Sequence, residues 1–237
     1  MMQTRVNDQP AFILHRRDYQ ESSLILELFT LDFGRINVLV KAAKKRRDAA
    51  YFQTGQRLQL GWSGRSSLKI LTQIECQPLQ IPLKLYSSVF YVNEVLLYLL
   101  PREQEQSALF KRYQYLLLEL AQHGADTPVE VILRLFEMDM LLELGLMPEL
   151  TTEHFSGQAV RHDQHYRFDM LTGLQRLDGL TASGFSGAEL LCIQQRQFDS
   201  TAVLRAATRL MRQIIDYSLQ GRTLQSRKLY QQLNKKP

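Results

Sequence analysis

The residues of this chain best suited to chemistry form a short basic run near the amino end. An apolar, β-branched segment, Ile36 to Val40, leads directly into a cluster of cations: Lys41, Lys44, Lys45, Arg46 and Arg47. A strand that ends in such a cluster presents positive charge at the rim of a sheet. Phosphates bind such a rim because counterions condensed on them are released. The run is therefore interpreted as a nucleic-acid contact or, alternatively, as a solvated basic loop that aids solubility.

Five short β-prone segments carry this run. Turn-forming residues separate them, and no convincing helix interrupts them. The predicted strands are Ala11 to Leu14, Leu24 to Thr30, Ile36 to Val40, Leu58 to Trp62 and Leu68 to Ile74. Five strands within about 75 residues favour a small closed barrel, for which the OB-fold is the common architecture and an SH3-like barrel the alternative.

Aromatic and basic side chains of the predicted barrel suit nucleic-acid binding. OB-folds hold single strands by stacking bases on aromatic rings beside a basic groove. Most rings are expected in the core, whereas Tyr51 and Phe52, just after the basic run, are the better candidates for exposure. The cations expected to extend the positive track are Arg35, Arg57, Arg65 and Lys69.

Helical periodicity replaces strand periodicity after Pro78. Helices are predicted over Leu83 to Leu100, over Leu109 to Leu120 with a stop at Gly124, and over Val129 to Leu144 with a stop at Gly145. A long amphipathic helix is predicted over Thr201 to Leu219, and a short one near Ser226 to Leu233. Capping boxes are predicted at Thr127–Glu130 and at Ser186–Glu189.

Residues 147–183 lack this helical pattern and are interpreted as an insertion. Tyr166 to Met170 and Leu174 to Leu177 predict a hairpin that turns at Thr172–Gly173. The predicted fold class is α+β: a five-stranded OB-fold domain over residues 1–79, then an all-helical domain over 80–237 that contains this small irregular insertion.

A second basic surface is predicted on the long amphipathic helix. Arg205, Arg209 and Arg212 follow the spacing i, i+4, i+7 and share one face. The opposite, apolar stripe consists of Val203, Ala207, Leu210 and Ile214. Both an anionic partner and carboxylates of the same domain would relieve the repulsion between the arginines, and both interpretations stay open.

Arg134 is the only cation between Arg112 and Arg161. One interpretation is an intrahelical ion pair with Glu130 or Glu137, worth about 0.3–0.5 kcal/mol. The other is a clamp for a carboxylate beside an apolar groove, which would suit an acidic peptide with an aromatic end.

Catalytic and metal-binding patterns find little support in the sequence. There is no Gly-Lys-Ser/Thr phosphate loop and no G-x-S-x-G nucleophile elbow. His162-x-x-His165, with His154 nearby, has no cysteine close in sequence, so no metal site is predicted. We expect a protein that is not an enzyme and needs no cofactor.

Composition fits this interpretation. The net charge of +5 is uneven: residues 1–80 hold 12 Lys+Arg against 7 Asp+Glu, residues 81–194 hold 8 against 15, and residues 195–237 hold 9 against 2. Two distant cysteines, Cys76 and Cys192, suit a reducing compartment. With neither a signal peptide nor a spanning segment in the pattern, the expected location is the cytoplasm.

Four groups of residues, in this order and spacing, resemble one bacterial family. They are Ala11–His15 with Tyr19–Ser23; Phe29–Thr30 with Gly34–Arg35 and Val38 to Lys41; Tyr91–Glu94 with Arg134–Glu137 and Leu144–Gly145; and Gly221–Arg222 with Leu224 and Ser226–Arg227. On these residues the chain resembles the RecO family of recombination mediators over nearly its whole length.

The resemblance implies an OB-fold followed by a helical domain, binding of single- and double-stranded DNA, annealing of complementary strands, and no nucleotide hydrolysis. The implied partners are the carboxyl-terminal tail of single-stranded-DNA-binding protein (SSB) and RecR, with a functional link to RecA. By the match at Arg134–Glu137, Arg134 is the candidate for holding the tail's terminal carboxylate. Lys41 to Arg47 falls at the family's basic loop.

The chain departs from the family pattern at two places. Lys41–Ala42–Ala43–Lys44 stands where the family usually has Lys-Gly-Ala-Arg, and losing the glycine makes a turn with positive φ less permissive. Many members also carry four zinc-binding cysteines in the insertion, but residues 147–183 contain none, so zinc is not carried over.

The leading hypothesis is a DNA-annealing recombination mediator in the RecF pathway, without an active site. Its predicted DNA-binding residues are Arg35, Lys41, Lys44, Lys45, Arg46, Arg47, Tyr51, Arg65, Lys69, Arg205, Arg209 and Arg212. The alternatives are an RNA-binding OB-fold protein that acts on structured RNA and a non-catalytic scaffold whose basic ends dock acidic proteins.

Overall fold

The computed structural model of the protein describes residues 5–122, 127–178 and 184–228. These residues form two compact units. The first contains residues up to 122 together with 224–228, and the second contains 127–178 and 184–223. None of the helices in the described ranges is both long and apolar enough to span a membrane.

The first unit is built on a five-stranded barrel. Its strands are β1 (Arg5–Tyr19), β2 (Ser23–Thr30), β3 (Gly34–Val40), β4 (Arg57–Ser63) and β5 (Leu68–Gln77). They close in the order β1-β2-β3-β5-β4, with β3 and β5 parallel and the other pairs antiparallel. This is the strand order of an OB-fold, so the predicted fold class is confirmed.

Apolar side chains at alternating positions of β2 and β3 fill the barrel interior. Leu24, Leu26 and Leu28 of β2 point inward and meet Ile36, Val38 and Val40 of β3, because paired residues share a face of the sheet. Each of these six side chains is at most 6% exposed.

The outer face of β1 and β2 around Phe12 and Phe29 is buried as well, beneath two helices of the same unit, α1 (Tyr86–Leu99) and α2 (Ser107–Ala121). The ring of Phe110 lies 5.3 Å from that of Phe12 and 5.4 Å from that of Phe29. Continuous apolar runs in β1 and β2 follow from this burial on both faces.

A buried polar contact joins α1 to an irregularity in β1. The register of β1 shifts between Ile13 and His15, and Asn93 Nδ2 donates to the carbonyls of Ile13 (3.4 Å) and Leu14 (3.1 Å). The hydroxyl of Tyr113 donates to Asn93 Oδ1 over 2.5 Å, and burial raises the pKa of Tyr113, which keeps that proton in place.

The last described residues return to α1. Leu224 is buried, and the carboxylate of Glu94 accepts hydrogen bonds from the backbone N–H groups of Gln225 and Ser226, each at 2.8 Å, and from Ser226 Oγ at 2.6 Å. The guanidinium of Arg227 lies 5.7 Å from the ring centroid of Tyr91. Of the short helix predicted near Ser226 to Leu233, residues 229–233 lie outside the described ranges.

The second unit combines three helices with a small sheet. The helices are α3 (Val129–Glu143), α4 (Gly187–Gln194) and α5 (Thr201–Ser218), and the strands are β6 (His165–Asp169), β7 (Gly173–Leu177) and β8 (Phe185–Ser186), in the order β7-β6-β8. The predicted hairpin is confirmed as β6–β7, and β8 is a third strand that the sequence pattern did not predict. The predicted apolar stripe of α5 is buried.

One of the two predicted capping boxes is present. Ser186 Oγ accepts from the N–H of Glu189 at 3.2 Å, and Glu189 Oε2 accepts from the N–H of Ser186 at 2.8 Å. The box at Thr127 is wrong, because the N-cap of α3 is Pro128, which makes no side-chain cap bond. Gly145 follows α3 with a φ of 67°, as predicted for a helix stop, whereas the stop predicted at Gly124 lies outside the described residues.

Candidate nucleic-acid interface

The loop between β3 and β4, residues 41–56, is called the basic loop here. Ala43 and Phe52 are both fully buried in the barrel core and anchor the loop at two points. The N–H of Lys44 donates to the carbonyl of Ser22 at 3.0 Å, and the N–H of Ala42 donates to Ser23 Oγ at 3.3 Å. The loop is therefore fixed to the turn that joins β1 to β2.

Arg16, which the sequence patterns did not single out, is a third support of the loop. Its guanidinium donates to the carbonyl of Phe52 over 3.0 Å. Arg16 lies in the part of β1 that continues beyond the predicted strand end at Leu14.

Ala42 adopts the left-handed conformation at the start of the basic loop, with φ 51° and ψ 32°. This is the position where the family pattern has glycine. The alanine is strained here, because a left-handed Cβ approaches the following carbonyl oxygen. The turn thus keeps its left-handed form without the residue that favours it.

Two of the five cations of the basic loop are paired with carboxylates. Lys44 Nζ lies 2.8 Å from Asp18 Oδ2, and Arg46 binds Asp48 through two hydrogen bonds of 2.7 and 2.6 Å. The hydrogen bond from Arg46 lowers the pKa of Asp48, and the pKa of Arg46 is raised by the same bond.

The other three cations of the basic loop are open to solvent. Lys41, Lys45 and Arg47 are exposed, and none forms an ion pair with any residue in the described ranges. The loop therefore presents uncompensated positive charge from a backbone that is fixed to the barrel.

Of the two aromatic residues expected near the loop surface, only one is there. Tyr51 is 39% exposed. Phe52 is fully buried, so its expected exposure is wrong: the ring is needed as an anchor of the loop in the barrel core. The guanidinium of Arg46 lies 5.9 Å from the centroid of the Phe52 ring.

Arg35 does not face solvent as the proposed track requires. Its side chain is 12% exposed, its Nε donates to the carbonyl of Leu100 at 3.1 Å, and its Nη1 lies 3.2 Å from Glu27 Oε2. Arg102 approaches the same carboxylate at 3.7 Å. The prediction that Arg35 contacts DNA is therefore not supported, because the group is used to hold residues 100–102 against β3.

Lys69 lies beside β3, two residues before that strand ends, and Arg65 lies in the turn before β5. Lys69 pairs with Val38, three residues before Lys41, and thus about 10 Å back along the strand. Its side chain is 13% exposed and binds Glu103 at 3.0 Å and the carbonyl of Ser66 at 2.7 Å. Arg65 is exposed in the turn between β4 and β5, and Arg57 is partly buried at the start of β4.

The three arginines of α5 do not form a uniform cationic face. Arg205 is exposed and makes no ion pair with a described residue. Arg209 lies over the ring of Phe185, 4.3 Å from its centroid, and donates to the carbonyl of Gly184 at 2.6 Å. Arg212 is 3.7 Å from Asp216, one turn further along the helix.

Arg134 forms an ion pair within α3. Its Nη2 lies 2.5 Å from Glu137 Oε1, and the two side chains are 9% and 2% exposed. The Nε of Arg134 is buried and has no hydrogen-bond partner among the described residues. The intrahelical pair that the spacing indicates is confirmed.

His154, His162 and His165 do not converge on one another with other ligands. In the described part of the chain, no three His, Cys, Asp or Glu side chains are grouped as a metal ion would need.

A five-stranded barrel with a fixed, positively charged loop is typical of the OB-fold proteins that bind nucleic acids. Most of the chain matches two family models: Recombination protein O N terminal over residues 2–78 and Recombination protein O C terminal over residues 83–228. The chain therefore belongs to the RecO family.

Full-length relatives agree with this assignment. The chain is 39% identical to the DNA repair protein RecO of Methylococcus capsulatus over 232 residues, which cover 96% of this chain and 94% of that protein. It is 39% identical to DNA repair protein RecO of Pasteurella multocida over 237 residues, with 98% of each chain covered. The protein of the same name from Yersinia pestis is 38% identical over 234 residues, with coverages of 97% and 96%. Family membership supports a role in DNA repair and recombination.

Proposed function

We propose that this protein is a recombination mediator that binds the backbone of single- and double-stranded DNA and anneals complementary strands without covalent chemistry. The observation that carries the proposal is the basic loop. Its backbone is anchored by Ala43 and Phe52, while Lys41, Lys45 and Arg47 extend into solvent without carboxylate partners among the described residues.

Annealing needs only that two polyanions be brought together. Cations held in fixed positions neutralise phosphates of either strand, and the released counterions favour binding without reading sequence. The proposal accordingly assigns no catalytic residue and no cofactor.

The direct test measures how DNA affinity depends on salt. We expect the double variant Lys45→Ala/Arg47→Ala to bind an oligothymidylate more weakly and to lower the slope of log affinity against log salt by about 1.4, at about 0.7 for each single-strand phosphate contact.

The matched control is Lys44→Ala/Arg46→Ala, which removes the same charge from the same loop. Because Asp18 and Asp48 already compensate these two cations, the slope should change less. Equal slopes in the wild type and the Lys45/Arg47 variant would contradict the proposal. Competition with RNA of equal length tests whether DNA is the preferred polymer.

We further propose that Arg134 contributes to binding the SSB tail. Its buried Nε–H, which has no partner among the described residues, can donate to a second carboxylate beside that of Glu137, and a guanidinium can bridge two carboxylates. Partnership with RecR and help in loading RecA are proposed on the family resemblance alone, and DNA contacts at Arg65 and Arg205 remain proposals of the same kind.

The tail proposal is tested by fluorescence anisotropy with a labelled acidic peptide that ends in phenylalanine. Arg134→Lys retains the charge but loses the planar fork, and we expect it to weaken binding about tenfold or more, which is the loss of a charged hydrogen bond. Arg196→Ala is the control variant, because Arg196 forms an ion pair of 2.6 Å with Asp139, which lies on α3 as Arg134 does. This variant should bind the peptide like the wild type. Peptide affinity that is equal in the wild type and Arg134→Lys would remove Arg134 from the site.

A further inference from the structure

The β1–β2 hairpin brings an aromatic ring next to the basic loop. The sequence patterns end β1 at Leu14, but the strand continues to Tyr19, and residues 15–19 pair with 23–27 of β2. Tyr19 lies at the end of this ladder, opposite Ser23, and is 39% exposed.

Strand register places Tyr19 and Arg17 on the outer face of the barrel. Leu24 and Leu26 of β2 point into the core, so Ser23 and Ile25 point outward, together with their partners Tyr19 and Arg17. Arg17 is exposed, and no described residue forms an ion pair with it.

Lys41 lies in the same row of the sheet as Tyr19. It follows Val40, the partner of Leu24, so it stands beside Ser23. The hydrogen bond from Ala42 N–H to Ser23 Oγ keeps it there. With adjacent strands about 4.8 Å apart, the backbones at Tyr19 and Lys41 are about 10 Å apart, and only the small side chain of Ser23 lies between them.

The neighbouring row is apolar beyond Arg17. In this row Arg17 of β1 pairs with Ile25 of β2. Ile25 pairs in turn with Leu39 of β3, and Leu39 pairs with Ile70 of β5. Ile70 is 37% exposed. Ile25 is buried at 4% exposed and Leu39 is partly buried, so the accessible part of this face includes the ring of Tyr19, Ile70, Arg17 and Lys41. No described residue forms an ion pair with either of the two cations.

We propose that Tyr19 is a stacking platform for bases of single-stranded DNA, and that Arg17 and Lys41 hold the phosphates on its two sides. The inference rests on the proposed function and adds to it a reason why the protein would distinguish single-stranded DNA from a duplex. Bases in a duplex are already stacked on one another, so only a single strand offers an open base to the ring, whereas the cations bind phosphates of both forms.

The first test compares affinities for an oligothymidylate of about 16 nucleotides, the upper end of one OB-fold site, with those for a duplex of equal length. We expect Tyr19→Leu to weaken single-strand binding about fivefold or more, as the loss of one stacked base requires. Duplex binding should stay within about twofold, since no base is stacked on the ring. Tyr19→Phe, which retains the ring, should bind like the wild type.

Tyr115→Leu is the matched control, because Tyr115 is 60% exposed on α2 of the same unit. For the cations, Arg17→Gln should lower the slope of log affinity against log salt by about 0.7. Arg5→Gln, at the other end of β1, is the control and should leave this slope unchanged. Photo-crosslinking of oligothymidylate to the wild type, followed by peptide mapping, gives a readout that does not depend on any variant folding. The peptide with Tyr19 should carry the crosslink.

The outcomes separate the two proposals. If the wild type binds with steep salt dependence and Lys45→Ala/Arg47→Ala weakens it, but Tyr19→Leu does not, the stacking proposal is overturned and the proposed function stands. Equal losses for single strand and duplex in Tyr19→Leu would also overturn it. Absence of DNA binding by the wild type would remove the proposed function itself.

Discussion

Ala42 shows how a single backbone conformation sets up the basic loop. The left-handed turn at this residue lets the chain leave β3 and bury the next side chain, that of Ala43, in the barrel core. The cations that follow are then directed outward. Strain at one residue is thus linked to the placement of the charge on which the proposed function depends.

This strain gives the first prediction. Ala42→Gly should stabilise the protein by about 1 kcal/mol, because glycine adopts a positive φ without the Cβ penalty, less the entropy that glycine adds to the unfolded chain. Urea unfolding followed by circular dichroism measures the change. Ala49→Gly is the control: Ala49 has no positive φ, so glycine there should not stabilise. A neutral or destabilising Ala42→Gly would contradict the argument.

Asp48 gives a prediction with a defined pH dependence. Its pKa is lowered below the ordinary value of 3.8 by the hydrogen bond from Arg46. A carboxyl whose folded pKa is depressed stabilises the fold above its unfolded pKa and loses that contribution as the pH falls through the folded value. Asp48→Asn should therefore cost about 0.5–1 kcal/mol at neutral pH, a value typical of a well-formed surface pair.

The measurement is the difference in unfolding free energy between the wild type and Asp48→Asn at several pH values. The difference should be constant between about pH 5 and 7 and should shrink below about pH 4, where Asp48 is protonated in the unfolded chain. If the difference in unfolding free energy grew as the pH fell, the pKa of Asp48 would not be lowered by folding and the prediction would be contradicted.

At the scale of elements, close packing between chain segments explains why a glycine begins β3. Gly34 has a φ of 61°, and a Cβ added there would lie 1.8 Å from the carbonyl oxygen of Gln104. The segment before α2 approaches this closely because the N–H of Glu103 donates to the carbonyl of Arg35 at 3.0 Å. The same approach brings Arg102 to Glu27 and withdraws Arg35 from solvent.

Gly34→Ala should accordingly destabilise the protein by about 3 kcal/mol or more, as the sum of a left-handed penalty and a backbone collision. Gly64→Ala isolates the first contribution, since Gly64 also has a positive φ but its nearest atom is 3.9 Å away. Thermal unfolding of both variants tests the difference. If they were equally destabilised, the approach of residues 103–104 would not matter to stability.

The elements that were predicted correctly are those with local signals. Alternating apolar residues in β2 and β3, and the capping box at Ser186, are written in contiguous sequence. The extension of β1 to Tyr19 was missed because His15 to Asp18 are polar and hold their strand form through pairing with β2. The pairing of Arg35 with Glu27 depends on register between strands, which spacing along one strand does not reveal.

At the scale of the whole chain, charge in the sequence and charge at the surface differ. The amino-terminal excess of cations is visible in composition, but Arg35, Lys44, Arg46 and Lys69 each have a carboxylate partner. Only the fold separates these from Lys41, Lys45 and Arg47. The sequence therefore predicted which loop carries the candidate site, but not which of its cations are free of carboxylate partners among the described residues. The proposed contribution of the β1–β2 hairpin was not predicted.

The last described residues offer the final prediction, since they close the first unit from the far end of the sequence. Glu94 accepts three hydrogen bonds from Gln225 and Ser226, two of them from N–H groups at the start of a helical turn. A carboxylate is favoured there because the amino end of a helix carries partial positive charge. The family resemblance therefore includes both sides of this contact: the residues around Tyr91–Glu94 on α1 and those around Leu224–Arg227.

Glu94→Gln retains the shape of the side chain but removes its charge and one acceptor. We expect a loss of about 1–2 kcal/mol in the free energy of unfolding and faster amide hydrogen exchange at residues 225 and 226, whose N–H groups lose a charged acceptor. Glu105→Gln, at an exposed glutamate before α2, is the control and should change neither. If exchange at these two amides were as slow in Glu94→Gln as in the wild type, the carboxylate would not be what holds the segment to α1.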